Sequence, residues 1–152
     1  MTTNIYINHI MKDISNFMGV SSVDTLLTPT SFPSYTIINF SPSNLPGTHF
    51  VSVIFFNKNL CLYFDSLNLA VIPQRIFRYM QDTAKNIIRI DYSIQNPRSI
   101  FCGFYSLVPI MLHVTNLPIL RGILSFKECS MENDELCIRM LTRLFKLYYL
   151  EG

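Results

Sequence analysis

Four residues of types that can act together in covalent catalysis occur in the order His49, Asp65, Gln95 and Cys102. A cysteine is a strong nucleophile only as the thiolate, and a helix N-terminus with an adjacent imidazolium lowers a thiol pKa from about 8.5 to below neutrality. Cys102 begins a dense apolar segment for which we predict a helix, and no other cysteine in the sequence has this placement. If the two side chains meet, the imidazole of His49 can accept the thiol proton.

Asp65 and Gln95 match the two other functions that such a site needs. Asp65 follows His49 by 16 residues that span one predicted hairpin, so its carboxylate can hold the second ring nitrogen of His49 and fix the orientation of the ring. An attacked carbonyl also needs donors for its developing negative charge. The side-chain amide of Gln95 and the backbone N–H of Cys102 can supply two of them.

The elements that must position these residues are short strands and helices around one sheet. Apolar and β-branched runs predict strands over 35–40, 49–56, 60–65 and 87–92, the middle two forming a hairpin through the turn residues 57–59. Helical spacing predicts helices over 7–18 with Gly19 as a stop, after Pro73, from Phe101 and over 132–149. We therefore expect residues 1–152 to form one α+β domain, a small central mixed sheet flanked by helices, with Cys102 at a helix N-terminus.

Composition excludes several other classes of protein. Hydrophobic residues make up 49% of the 152 residues and charged residues 14%, which excludes a disordered chain. The net charge of +2 gives no electrostatic reason to expect nucleic-acid binding. The apolar stretch 104–114 is shorter than the roughly 20 residues of a spanning helix, and the N-terminus lacks the features of a secretory leader, so we expect no membrane segment and a reducing compartment. Without a C-x-x-C pair, no zinc or redox motif is expected.

Three sequence segments together resemble a protease family. They are G-T-H-F at 47–50, Y-F-D-S-L at 63–67 and Q-N-P-R-S-I-F-C-G-F-Y-S-L at 95–107. In this order they resemble the adenain-type cysteine proteases of adenoviruses, Maverick/Polinton elements and virophages, and more distantly the proteases that process ubiquitin-like proteins. The order His, acid, Gln, Cys is the signature of that clan. The resemblance covers residues 47 to about 112.

The resemblance implies a role for each candidate residue. His49 would be the general base, Asp65 its orienting acid, Gln95 an oxyanion donor and Cys102 the nucleophile of a viral-type endopeptidase. Family members cleave capsid or core precursor proteins after small residues, commonly at a glycine pair, during virion maturation. We would then expect a monomer in the host cytoplasm or nucleus and in the virion, with viral precursors as partners. The chemistry needs no metal or nucleotide.

Three departures bear on the family's accessory features. Phe50 stands where the family usually has a tryptophan after the histidine, and its ring can still shield the imidazole. Residues 66–94 contain no cysteine, which argues against the disulfide-linked activating peptide of adenovirus enzymes. Without a basic cluster, the sequence gives no support for DNA as a cofactor.

Three alternative functions remain open from the sequence. An isopeptidase acting on ubiquitin-like tails uses the same residues, and an acyltransferase of the bacterial effector kind uses similar ones, although we find no phosphate-binding loop for acetyl-coenzyme A. An inactive binding module is the non-enzymatic alternative. Away from the candidate site we expect structural thiols and structural imidazoles: Cys61, Cys129, Cys137, His9 and His113.

Overall fold

Five strands form one mixed sheet in the computed structural model of the chain, which describes residues 3–41 and 49–151. They are β1 (Phe17–Ser22), β2 (Ser34–Asn39), β3 (Phe50–Phe55), β4 (Leu60–Phe64) and β5 (Asn86–Arg89), and they lie side by side in chain order. The two outer pairs, β1 with β2 and β4 with β5, are parallel, and the two inner pairs are antiparallel. β3 is therefore the central strand, and all six of its residues are buried.

Helices cover both faces of the sheet. They are α1 (Asn4–Ile10), α2 (Gln74–Thr83), α3 (Cys102–Val114), α4 (Ile119–Leu124) and α5 (Asn133–Glu151). Successive side chains of a strand point to opposite faces, so β3 contributes to two apolar clusters. Phe50 and Ile54 pack on the side of α1, α3, α4 and α5, whereas Val51 and Val53 pack on the side of α2. The chain is thus an α+β structure in which helices flank a mixed sheet, as the sequence predicted.

The hairpin of β3 and β4 carries His49 and Asp65 to one end of the sheet. The strands are antiparallel, with Ser52 opposite Phe64, so the residue before β3 and the residue after β4 lie at the same end. The backbone N–H of Phe40 donates to the carbonyl of His49 at 3.0 Å, which continues the pairing of β2 and β3 beyond the strands themselves. The predicted hairpin is confirmed.

The prediction for the first helix was wrong over its second half. α1 ends at Ile10, and residues 17–22 form β1. Asn16 has a left-handed backbone conformation with φ of 65°, which ends any helical path before β1 begins. Gly19, predicted as a helix stop, has φ of 102° and lies where the register of β1 and β2 shifts. Only glycine adopts this conformation readily, so it allows the bulge.

The other elements follow the sequence prediction closely, with two differences. Strand β5 is shorter than the predicted 87–92, and helix α4 was not predicted at all. Residues 42–48, including Gly47 and Thr48 of the G-T-H-F segment, lie outside the described residues. No helix within the described ranges is long and apolar enough to span a bilayer.

Candidate active site

His49 and Asp65 form a buried hydrogen-bonded pair. The Nε2 atom of His49 lies 2.6 Å from Oδ1 of Asp65, and both side chains are almost inaccessible to solvent. Asp65 is held in turn by the chain that follows it, because the backbone N–H groups of Leu67 and Leu69 donate to its Oδ1 and Oδ2, each at 3.0 Å. A carboxylate with two backbone donors is fixed in place and can orient the imidazole.

An aromatic ring packs against His49, but it is not the one the sequence suggested. The ring of Phe40 meets the imidazole edge to face, with centroids 5.1 Å apart and planes at 89°. Phe50, expected to shield the imidazole, instead points into the apolar cluster beneath α3. The alternation of β3 explains this difference, because adjacent residues of an extended chain point to opposite sides.

The thiol of Cys102 lies beside this pair. Cys102 is the first residue of α3, and its sulfur lies close enough to the His49 side chain and to the backbone N–H groups of Phe50 and Gly103 for each of them to lower the pKa of the thiol. Because Asp65 occupies Nε2 of the imidazole, Nδ1 is the ring nitrogen left for the sulfur. The carboxylate, imidazole and thiol are thus connected in series.

These contacts favour a thiolate beside an imidazolium. Burial by itself opposes the charge on each group. It is outweighed at His49, where the hydrogen bonds and charges of Asp65 and Cys102 raise the pKa to about 9. At Cys102, the hydrogen bonds from His49 and from the Phe50 and Gly103 backbone, together with the charge of His49, lower the pKa below its ordinary value of 9.0.

Gln95 lies in the segment between β5 and α3, and its side chain is held at both ends. Its Nε2 donates to the carbonyl of Ser99 at 3.0 Å, and its Oε1 accepts from the hydroxyl of Ser66 at 2.6 Å. A carbonyl can only accept, so Ser99 requires the nitrogen on its side and the oxygen turns to Ser66. The nitrogen carries a second hydrogen, which none of the described hydrogen bonds uses. Ser66 directly follows Asp65, and Ser99 lies shortly before Cys102.

Two groups that position Gln95 and Cys102 were not predicted from the sequence. Ser66 fixes the amide of Gln95, and the backbone N–H of Phe50 contacts the thiol of Cys102. Ser66 had a signal in the sequence, since it stands next to Asp65 in the Y-F-D-S-L segment. The Phe50 amide had none, because a backbone donor is identified only by where the chain runs.

The remaining cysteines have environments unlike that of Cys102. Cys61 and Cys137 are fully buried, and burial raises the pKa of the Cys61 thiol to about 11 and that of Cys137 further still. Cys129 is partly buried, with its sulfur 3.2 Å from the hydroxyl of Ser93. A low pKa and partial exposure are the conditions for a reactive thiol, and Cys102 combines them.

His113 belongs to a separate structural contact. Its Nδ1 lies 2.6 Å from the hydroxyl of Tyr35, and burial lowers the pKa of the imidazole. Tyr35, the partner of His113, is the second residue of β2 and pairs with Ile54 near the end of β3. His49 precedes the first residue of β3, so the two histidines lie at opposite ends of these strands.

The described residues were compared with the requirements of a metal site, and the sequence with known families and proteins. Within residues 3–41 and 49–151, no group of three or more His, Cys, Asp or Glu residues could hold a metal ion. No protein-family model matches the chain, and no curated protein matches it.

Proposed function

We propose that the chain is a cysteine endopeptidase of the adenain type, with Cys102 as nucleophile, His49 as general acid and base, Asp65 as the orienting acid and Gln95 as an oxyanion donor. The observation that carries the proposal is the buried hydrogen bond between Asp65 and His49 beside Cys102 at the start of α3, where the thiol pKa is lowered and the imidazole pKa is raised. A fold needs no such pair for stability, whereas nucleophilic catalysis does.

The reaction follows from these protonation states. The Cys102 thiolate attacks a peptide carbonyl, and a bond forms between sulfur and carbon while the carbonyl electrons move to oxygen. The negative oxygen accepts hydrogen bonds from the Gln95 amide and the Cys102 backbone N–H. As the C–N bond breaks, the imidazolium of His49 gives its proton to the departing amine. A water then attacks the thioester, loses a proton to His49 and releases the acid product and the thiolate.

The substrate class comes from the resemblance of residues 47–112 to the family. On that basis we propose cleavage after small residues, commonly at a glycine pair, in capsid or core precursor proteins during virion maturation. The chemistry described above proceeds without a metal or nucleotide. The same residues also suit an isopeptidase of ubiquitin-like tails, so the choice between the two is made with substrates.

The test is site-specific labelling at neutral pH. A limiting amount of a short peptide ending in Gly-Gly-vinyl methyl ester is added, and the modified cysteine is located by peptide mapping. We expect modification of Cys102 alone, and its loss in His49→Ala and Cys102→Ala. His9→Ala, at an exposed histidine, and Cys129→Ala, at another partly buried thiol, are the matched controls and should leave the labelling unchanged.

Either of two outcomes would overturn the proposal. One is equal modification of all four thiols, and the other is labelling of Cys102 that does not depend on His49. Once the labelling succeeds, a ubiquitin-like protein with the same C-terminal electrophile is compared with the peptide. Preference for the protein probe would replace the endopeptidase by the isopeptidase.

A further inference from the structure

One segment carries Gln95 and leads directly into Cys102, and we refer to residues 93–101 as the oxyanion loop. Both oxyanion donors of the proposed function depend on where this loop lies. Its first part is held by the turn after β4, because the backbone N–H groups of Ile94 and Gln95 both donate to the carbonyl of Ser66 at 3.0 Å. This contact fixes where the loop begins but not where it ends.

A carboxylate from α5 contacts the end of the oxyanion loop, where the backbone N–H of Ser99 also donates to the carbonyl of Asn96 at 2.8 Å. Oδ1 of Asp134 accepts from the hydroxyl of Ser99 at 2.8 Å and from the phenol of Tyr105 at 2.6 Å. The hydroxyl of Ser99 also accepts from the backbone N–H of Phe101 at 3.1 Å, and the carbonyl of Ser99 accepts from the amide of Gln95. Through Ser99, Oδ1 of Asp134 is therefore linked to the side chain of Gln95 and to the backbone of Phe101, the residue before Cys102.

These contacts differ from the ordinary role of an acidic residue in the first turn of a helix. Such residues interact favourably with the free N–H groups of their own helix. Asp134 instead accepts two hydroxyls from outside α5, one from the oxyanion loop and one from the first turn of α3. Its neighbour Glu135 is exposed and pairs with Arg139 on the helix surface at 2.7 Å. The two adjacent acids thus form a natural comparison.

We infer that Asp134 is a positioning residue for the oxyanion pocket, acting through Ser99 on both donors, Gln95 and the backbone N–H of Cys102. The inference rests on the proposed function. Asp134 touches neither the thiol nor the imidazole, so its loss moves the donors without changing the protonation of Cys102. Hydrogen bonds to the transition state are more sensitive to such displacement than substrate binding is.

The test compares two readouts that depend on different parts of the site. Alkylation of Cys102 by iodoacetamide needs the thiolate but no oxyanion donor. The peptide aldehyde acetyl-glycyl-glycinal adds to the thiol to give a tetrahedral hemithioacetal whose oxygen occupies the oxyanion pocket. Both are measured on wild type, Asp134→Asn, Asp134→Ala and the control Glu135→Gln, together with kcat and KM for a glycine-pair peptide.

We expect Asp134→Ala to lower kcat and the affinity for the aldehyde about tenfold or more, in parallel, while KM and the alkylation rate stay within about twofold. Asp134→Asn keeps one acceptor oxygen and should lie between wild type and Asp134→Ala. Ser99→Ala should reproduce Asp134→Ala, and combining the two should add little further loss. Glu135→Gln should match wild type. If Asp134→Ala does not fold, the smaller change Ser99→Ala still tests whether Asp134 acts on the oxyanion donors through Ser99.

An unchanged aldehyde affinity in Asp134→Ala and Ser99→Ala would overturn the inference and leave the proposed function intact. So would a fall in alkylation that matches the fall in kcat, because Asp134 would then support the thiol or the fold as a whole. If wild type itself neither alkylates selectively at Cys102 nor binds the aldehyde, the proposed function fails and the inference fails with it.

Discussion

Replacing Asp65 by asparagine should change the protonation of both His49 and Cys102. The carboxylate is the leading cause that raises the pKa of His49 from 6.5 to about 9, against the effect of burial. Because each pKa unit corresponds to about 1.4 kcal/mol, this rise represents about 3 kcal/mol of preference for the imidazolium. Asp65→Asn removes the negative charge and puts an amide beside Nε2, so most of that preference should disappear.

Loss of the positive charge on His49 should also change the pKa of the Cys102 thiol. Without the imidazolium, the pKa of Cys102 returns towards its ordinary value of 9.0. A thiol with that pKa is only about 1% thiolate at pH 7, so the alkylation rate at neutral pH should fall by roughly ten- to a hundredfold. The assay is the rate of Cys102 alkylation by iodoacetamide from pH 5 to 10, with a parallel NMR titration of the His49 ring.

The control is Asp91→Asn. Asp91 is exposed, and among the described contacts its carboxylate accepts one hydrogen bond, from the side-chain amide of Asn68. Asp65→Asn also disturbs the amides of Leu67 and Leu69, at a cost of about 1–3 kcal/mol of stability, so each variant is assayed where circular dichroism shows it folded. An Asp65→Asn profile that overlays the wild-type profile would refute the link between carboxylate, imidazole and thiol.

Three further predictions test other parts of the structure. Gln95→Ala should lower kcat about 10²- to 10³-fold with little change in Cys102 alkylation, and equal losses in both would contradict an oxyanion role. Peptidase activity of wild type should rise with pH as Cys102 ionises, at a pKa below 9.0. It should fall as pH passes about 9, the pKa of His49, because the imidazolium then loses the proton that it gives to the departing amine. A rate that keeps rising above pH 9 would count against this assignment. Gly122→Ala should destabilise the fold by about 1–3 kcal/mol in urea unfolding, because the new methyl overlaps the Leu112 side chain, and Leu112→Ala in the same chain should relieve part of the loss.

The hairpin and the order of the candidate residues could be predicted because their signals are local. Two apolar runs separated by turn residues specify the β3–β4 hairpin, and the hairpin alone brings His49 and Asp65 to one end of the sheet. Cys102 at the start of an apolar helix is likewise visible from its immediate neighbours. That these residues work as an enzyme stays a prediction.

The parts that could not be predicted depend on contacts between distant segments. The apolar residues from 7 to 18 have helical spacing, yet Phe17 and Met18 join a strand because β2 offers a parallel partner. A six-residue helix such as α4 gives too short a periodic signal to be recognised. The acid that holds the oxyanion loop, Asp134, lies 35 residues from Ser99, and its sequence context resembles that of any helix start.

Because the thiols differ in their environments, unfolding should change their alkylation rates in opposite directions. Cys61 and Cys137 are inaccessible in the folded chain, so unfolding exposes them and speeds their alkylation. The pKa of Cys102 is lowered by His49 and by the backbone of Phe50, which are near it only in the folded chain. At neutral pH its alkylation therefore slows when the chain unfolds. The ratio of the two rates is an internal gauge of the folded fraction, independent of protein and reagent concentrations.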